Sequence, residues 1–110
     1  MDKAKIASLI RECEAEVNNG GFDQFFFNSA GDRTSEVISA IRAVGAEHTA
    51  AIVERAAAKF PGEGPPRDRT ERQKQLLLIS PDGEAFEEED QAFLEYDDDL
   101  EQLLNAYDNS

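Results

Sequence analysis

Tryptophan is absent from this chain, and cysteine, methionine and histidine occur once each. A lone Cys13 cannot close an intramolecular disulfide, so a reducing compartment is the expected home. A lone His48 with one remote thiol leaves no transition-metal spacing. No run approaches the ~18–20 apolar residues that span a bilayer. Behind Lys3 and Lys5 there is no apolar stretch, and Arg11 and Glu12 interrupt a signal-peptide reading. The expected setting is cytoplasmic, with no membrane partner. The most informative absence is regional: residues 80–110 hold twelve carboxylates and no lysine or arginine. The first 79 residues carry eleven basic and twelve acidic side chains. Nearly all of the formal charge of −13 therefore sits in the last quarter. Such a field attracts cationic surfaces and repels nucleic acid, whose binding depends on Lys and Arg.

The chain has 110 residues, 40% of them hydrophobic. That suits one folded domain over residues 1–110 with a modest core. Ile6, Leu9, Ile10, Cys13 and Val17 keep the spacing of one helix face. Asn18, Asn19, Gly20 and Gly21 are expected to stop that helix. Phe22, Phe25 and Phe26 share one face of a short helix that plugs rings into the core. Asp32 or Thr34 is placed to cap the next helix, with Val37, Ile38, Ile41 and Val44 inward and Gly45 closing it. Thr49, Ile52, Val53, Ala56, Ala57 and Phe60 form another helical stripe. Residues 61–66, with three prolines and two glycines, read as an irregular loop. A helix is expected to restart at Pro66 or Arg67, carrying Arg67, Arg69, Arg72 and Lys74. This basic run reads as a surface able to pair with the acidic C-terminal face.

The acidic segment is not free of apolar residues. Phe93, Tyr96, Leu100, Leu103, Leu104 and Tyr107 fall within roughly a 100° arc, and a disordered tail needs no such stripe. Asp98 followed by Glu101 resembles a capping box. No strand-like alternation or repeat occurs. The expected fold is all-α, a single compact domain of about five to seven helices with an acidic C-terminal helical face.

No catalytic constellation emerges. Asp97, Asp99 and Glu101 mimic the start of a calcium loop, but the turn glycine and the bidentate glutamate are missing. Asn19-Gly20-Gly21 lacks a phosphate-loop context. Neither enzyme activity nor a metal or cofactor is expected. The surface itself is the candidate: helix-face neighbours three or four apart stand ~5–6 Å apart, close to phosphate spacing along one nucleic-acid strand. The candidate phosphate-mimicking carboxylates are Asp82, Glu84, Glu87, Glu88, Glu89, Asp90, Glu95, Asp97, Asp98, Asp99 and Glu101.

The stretch from Asn19 through Gly20, Gly21, Phe22, Asp23, Gln24, Phe25, Phe26, Phe27 and Asn28 to Gly31 resembles the signature of a bacterial all-helical family. Its defining domain was long labelled as of unknown function, and its best-known member is a dimeric DNA mimic. The similarity continues through Ile41 to Ala46, Ala50 to Ala56, Phe60-Pro61, Phe93 to Tyr96 and Leu100 to Tyr107. The resemblance implies a helical domain whose acidic face occupies the DNA-binding surface of a basic protein such as a helix-turn-helix regulator, with a homodimer as a further implication. The motif residues Asn19, Gly20, Gly21, Phe22, Gln24, Phe25 and Asn28 read as turn and core. Two alternatives share the same electrostatics: an immunity-type inhibitor of a basic toxin or nuclease, and a helical domain whose acidic face only aids solubility.

Overall fold

The computed structural model describes residues 1–110 and contains helices only. In chain order these are α1 (Lys3–Phe27), a 3-10 turn (Ser29–Arg33), α2 (Thr34–Ala43), α3 (Glu47–Ala57), α4 (Arg69–Ile79), α5 (Glu87–Leu94) and α6 (Leu100–Asp108). Asp2 starts α1 by accepting a hydrogen bond from the Lys5 amide at 2.7 Å. The expected stripe of Ile6, Leu9, Ile10, Cys13 and Val17 is buried. At Gly20 and Gly21 the backbone leaves helical angles, with Gly21 at φ +71°. The helix then resumes and carries Phe22, Phe25 and Phe26 fully inward, while Phe27 faces out.

The core is one continuous cluster to which every α-helix contributes. Its centre is aromatic. Phe26 stands 5.1 Å from Phe25, 4.9 Å from Phe60 and 5.4 Å from Phe86, and Phe22 lies edge-on to Phe93 at 5.8 Å. Pairs of this kind add ~0.5–1.5 kcal/mol each beyond the area they bury. Phe86 and Phe93 belong to the acidic segment, so the segment is anchored in the same ring cluster as α1. Leu100 and Leu104 are buried as well, and Tyr96, Leu103 and Tyr107 are packed against the cluster. The apolar arc read from the sequence therefore holds, distributed over two helices with a bend between them. No helix is long and apolar enough to cross a membrane.

Between these ends, α2 and α3 bury Val37, Ile41, Ile52, Val53 and Ala56 as their spacing requires. Gly45 takes φ +87° immediately after the C-cap of α2, the left-handed conformation that favours glycine there. Two local expectations need correction. Neither Asp32 nor Thr34 caps α2: Thr34 donates its hydroxyl to the Gly31 carbonyl, and Asp32 turns to arginines of α4. And α4 starts at Arg69, capped by Asp68, which accepts from the Glu71 amide at 2.9 Å. Its onset lies past Pro66 because a capping carboxylate is available there.

The basic run also behaves differently from the expectation. It does not meet the acidic C-terminal segment. Arg67 pairs with Glu36 at 2.6 Å, and Arg69 and Arg72 both reach Asp32 at 2.7 Å. Arg72 is 0% exposed. Its Nε donates to Phe26 O, Nη1 to Pro66 O and Arg67 O, and Nη2 to Asn28 O and Asp32 Oδ1. All five guanidinium donors are thus engaged, and the side chain ties the end of α1, the 3-10 turn and the 61–67 loop together. Gly31 makes this possible: a Cβ there would lie 2.9 Å from Arg72 Nε and 2.8 Å from Phe25 O.

Candidate partner-binding surface

The eleven acidic positions singled out in the sequence divide by what the fold does with them. Glu89 is 4% exposed and pairs with Lys59 at 2.7 Å, joining α5 to the chain after α3. Lys59 also donates to Ala85 O and stands over the Phe86 ring. Asp90 is half-buried, and its Oδ1 accepts from the Phe22 amide at 2.7 Å. That amide opens the second limb of α1 after the glycine break, so Asp90 caps a helix from a different element. Burial pushes the Asp90 carboxyl up, against the pull of the Phe22 amide, with Asp23 and Glu89 adding to the rise.

Asp98 is likewise half-buried. Its Oδ2 accepts from the Thr49 amide at 2.8 Å and the Thr49 hydroxyl at 3.1 Å. The α3 N-cap is Ala46, which has no side-chain acceptor, and Asp98 serves in its place. This corrects the capping box read from Asp98 and Glu101. The residue that caps α6 is Asp99, which accepts from the Gln102 amide at 3.1 Å. Glu89, Asp90 and Asp98 thus each make a contact within the fold, and only Glu89 is fully buried.

The other eight, Asp82, Glu84, Glu87, Glu88, Glu95, Asp97, Asp99 and Glu101, are exposed. Glu87 and Glu88 lie in the first turn of α5, where the helix dipole favours negative charge. Asp97 faces His48 at 3.0 Å. The residues between α5 and α6 are held at several points. Tyr96, at φ +50°, donates its hydroxyl to Glu14 at 3.0 Å and accepts from Asn18 at 2.8 Å. Glu14 thereby joins Tyr96, Asp99, Leu100 and Glu101 around one shallow depression. Glu14 went unnoticed in the sequence because nothing in the spacing of α1 says that α6 lies beside it.

The glycine-rich stretch builds the turn on which this surface rests. Gly21 has the positive φ and leaves room for Asp90, whose carboxylate a Cβ would strike. Gly20 leaves room for Gln24, which accepts from the Asn19 side chain at 3.1 Å. Phe22 and Phe25 enter the core, and Asn28 binds Glu16 at 2.9 Å and offers its carbonyl to Arg72.

Cys13 is fully buried, and burial raises its thiol pKa. His48 lies on the surface, and no group of three His, Cys, Asp or Glu converges as a metal site. Asp23 is raised by burial, opposed by the Ser80 hydroxyl. It stands beside α4. No curated protein and no solved structure matches the chain. Residues 2–110, however, match the family described as DMP19-like protein, which covers the ring cluster, the glycine turn and both acidic helices, and the chain belongs to that DNA-mimic family.

Proposed function

We propose that this protein is a non-enzymatic DNA mimic that occupies the basic DNA-binding surface of another protein. The observation that carries the reading is a set of exposed carboxylates, unmatched by any Lys or Arg of the chain, on α5, α6 and the turns beside them, a segment locked into the aromatic core by Phe86, Phe93, Leu100 and Leu104. Anchoring matters because a partner then meets charges at fixed positions and pays little ordering entropy. Asp82, Glu84, Glu87, Glu88, Glu95, Asp97, Asp99 and Glu101 are the proposed contacts. Family membership supports a DNA-binding protein as the partner class, and a helix-turn-helix regulator is the instance we propose.

Binding of this kind weakens steeply with salt, because exposed charges are screened within ~8–10 Å. The test is capture of partners from native lysate on the immobilised protein at low salt. Elution follows with a salt gradient and, separately, with duplex DNA. Release of a DNA-binding protein by duplex DNA is the expected result. A single partner that duplex DNA fails to displace would replace mimicry with a toxin- or nuclease-inhibitor role.

A further inference from the structure

Outside the acidic segment, three large apolar side chains of adjoining elements stand in water. Phe27 at the end of α1 is 54% exposed, and Leu77 and Leu78 of α4 are 67% and 81% exposed. Phe27 and Leu77, with Leu76, line a depression of about 630 Å³ between the two helices. That volume falls within the ~300–1,000 Å³ of ligand-binding clefts. Leu78 is not part of its lining. Apolar surface grouped in this way marks a place where another molecule docks.

The wall of the depression and its surroundings decide what fits there. Asp23 also lines it, and Asp23 Oδ2 is buried without a hydrogen-bond partner. An unmet acceptor favours an occupant that brings a donor, and a carboxylate favours a cationic one. Ser80 lines the depression too and begins the acidic segment. Burial pushes the Asp23 and Asp90 carboxyls up; Asp82 adds to the first and Asp23 to the second, so the three lie close together. The depression therefore borders the acidic surface. Little opposing field comes from α4: Asp32 takes up Arg69 and Arg72, and Lys74 is offset by Glu71.

We infer, resting on the mimic reading, that this depression receives an apolar side chain of the same basic DNA-binding partner, with a neighbouring Lys or Arg directed to Asp23. Other cations of the partner meet the exposed carboxylates from Asp82 onward. The phosphate array of duplex DNA has no counterpart to an apolar hollow, so the two parts of the surface act differently. The carboxylates exert an attraction that any DNA-binding groove feels and that salt screens. The hollow exerts one that salt leaves intact and that only a partner with a fitting side chain receives. Phe27, Leu77 and Asp23 are thus the residues that select one partner among DNA-binding proteins.

The test titrates the partner that duplex DNA displaces from the immobilised protein, at roughly 0.05 M and 0.5 M salt. Phe27→Ser combined with Leu77→Ser is expected to weaken binding about 100-fold, by the same factor at both salt concentrations. Asp23→Asn is expected to weaken it about tenfold at low salt. Leu78→Ser, outside the hollow, is expected to change it less than about twofold. Phe27, Leu77 and Leu78 are exposed, so these variants keep the fold, which melting curves verify. Unchanged affinity in the Phe27, Leu77 variant overturns the inference. An equal loss in Leu78→Ser overturns it as well, because that is apolar adhesion without a site. If the changes alter only self-association and spare partner affinity, a second copy is the occupant and the inference falls. The mimic reading fails by a different result: Gln at positions 84, 87, 88 and 95 leaves affinity unchanged. If no DNA-displaced partner is captured at all, both fall together.

Discussion

In residues 1–79 acidic and basic side chains nearly balance and several pair within the fold, whereas in residues 80–110 the negative charge is largely left over. Arg33 finds Glu12, Arg42 finds Glu47 and Glu54, Arg67 finds Glu36, and Arg69 and Arg72 share Asp32. From the acidic segment only Glu89 and Asp97 meet a cationic or potentially cationic side chain, those of Lys59 and His48. The exposed pairs contribute ~0–1 kcal/mol each, so their value lies less in stability than in keeping that region near neutral. The acidic segment has no such compensation and holds its place by Phe86, Phe93, Leu100 and Leu104 instead. Apolar burial anchors it, and its outward carboxylates are free for another molecule.

The comparison breaks most sharply at Arg72, whose charge is buried in the fold. Replacing Arg72 by Met removes the donors to the Phe26, Asn28, Pro66 and Arg67 carbonyls and leaves Asp32 with Arg69 alone. The expected loss is about 3–5 kcal/mol, read from urea unfolding. Arg67→Ala, on the exposed pair with Glu36, is expected to cost under about 1 kcal/mol. Equal losses would mean that Arg72 is no more than a surface cation.

Next in size is the contact between the glycine turn inside α1 and Asp90 of α5. Gly21→Ala forces a side chain onto a positive φ and onto Asp90, and Asp90→Ala leaves the Phe22 amide without its acceptor. Each is expected to cost about 1–3 kcal/mol. The double variant is expected to lose less than the sum, because both changes damage the same contact. Thermal melts of the four proteins give the coupling, and strict additivity would separate the glycine from the carboxylate.

The pH response is smaller and has two signs. The Arg69 hydrogen bond, followed by Arg72, holds Asp32 down at about 2, against burial, from an ordinary value of 3.8. Its stabilisation is complete above the ordinary carboxylate range and is lost as pH falls from about 4 to about 2. Asp23 and Asp90 are raised by burial, so their ionised forms oppose folding and their protonation relieves it. Melting temperature is therefore expected to rise as pH drops toward the ordinary carboxylate range, then to fall below about 4 as Asp32 is protonated. Asp32→Asn is expected to remove much of that fall. A monotonic decline from pH 7 would contradict the assignment of Asp23 and Asp90.

The smallest expected effect on stability belongs to the surface itself. Glu87→Gln with Glu88→Gln should change unfolding free energy by no more than about 0.5 kcal/mol, since dipole complementarity lost in α5 is offset by relief of like-charge repulsion.

Much of this architecture was legible in the sequence. The stripe from Ile6 to Val17 and the one from Thr49 to Phe60 follow helical period and are buried, except that Ala57 is only partly so. The acidic segment betrayed its fold by Phe93, Leu100 and Leu104. What stayed hidden depends on contacts between elements. Glu88 and Asp90 are both carboxylates in one turn of α5, and only the proximity of the Phe22 amide separates a solvated charge from a cap. Asp98 and Asp99 are adjacent, and the tertiary position of Thr49 decides which of them caps α6. Arg72 sat in a run of arginines that read as surface. Its burial depends on carbonyls 44 and 46 residues away, at Asn28 and Phe26.

The central claim is that the leftover carboxylates are contacts and not merely solvated. The measurement that tests it most directly is titration of the captured partner, at several salt concentrations, with the native protein and with a variant carrying Gln at positions 84, 87, 88 and 95. The account expects the variant to keep its melting temperature while losing affinity about 100-fold or more at low salt, with a shallower salt dependence. Unchanged affinity and an unchanged salt slope in a folded variant would contradict it.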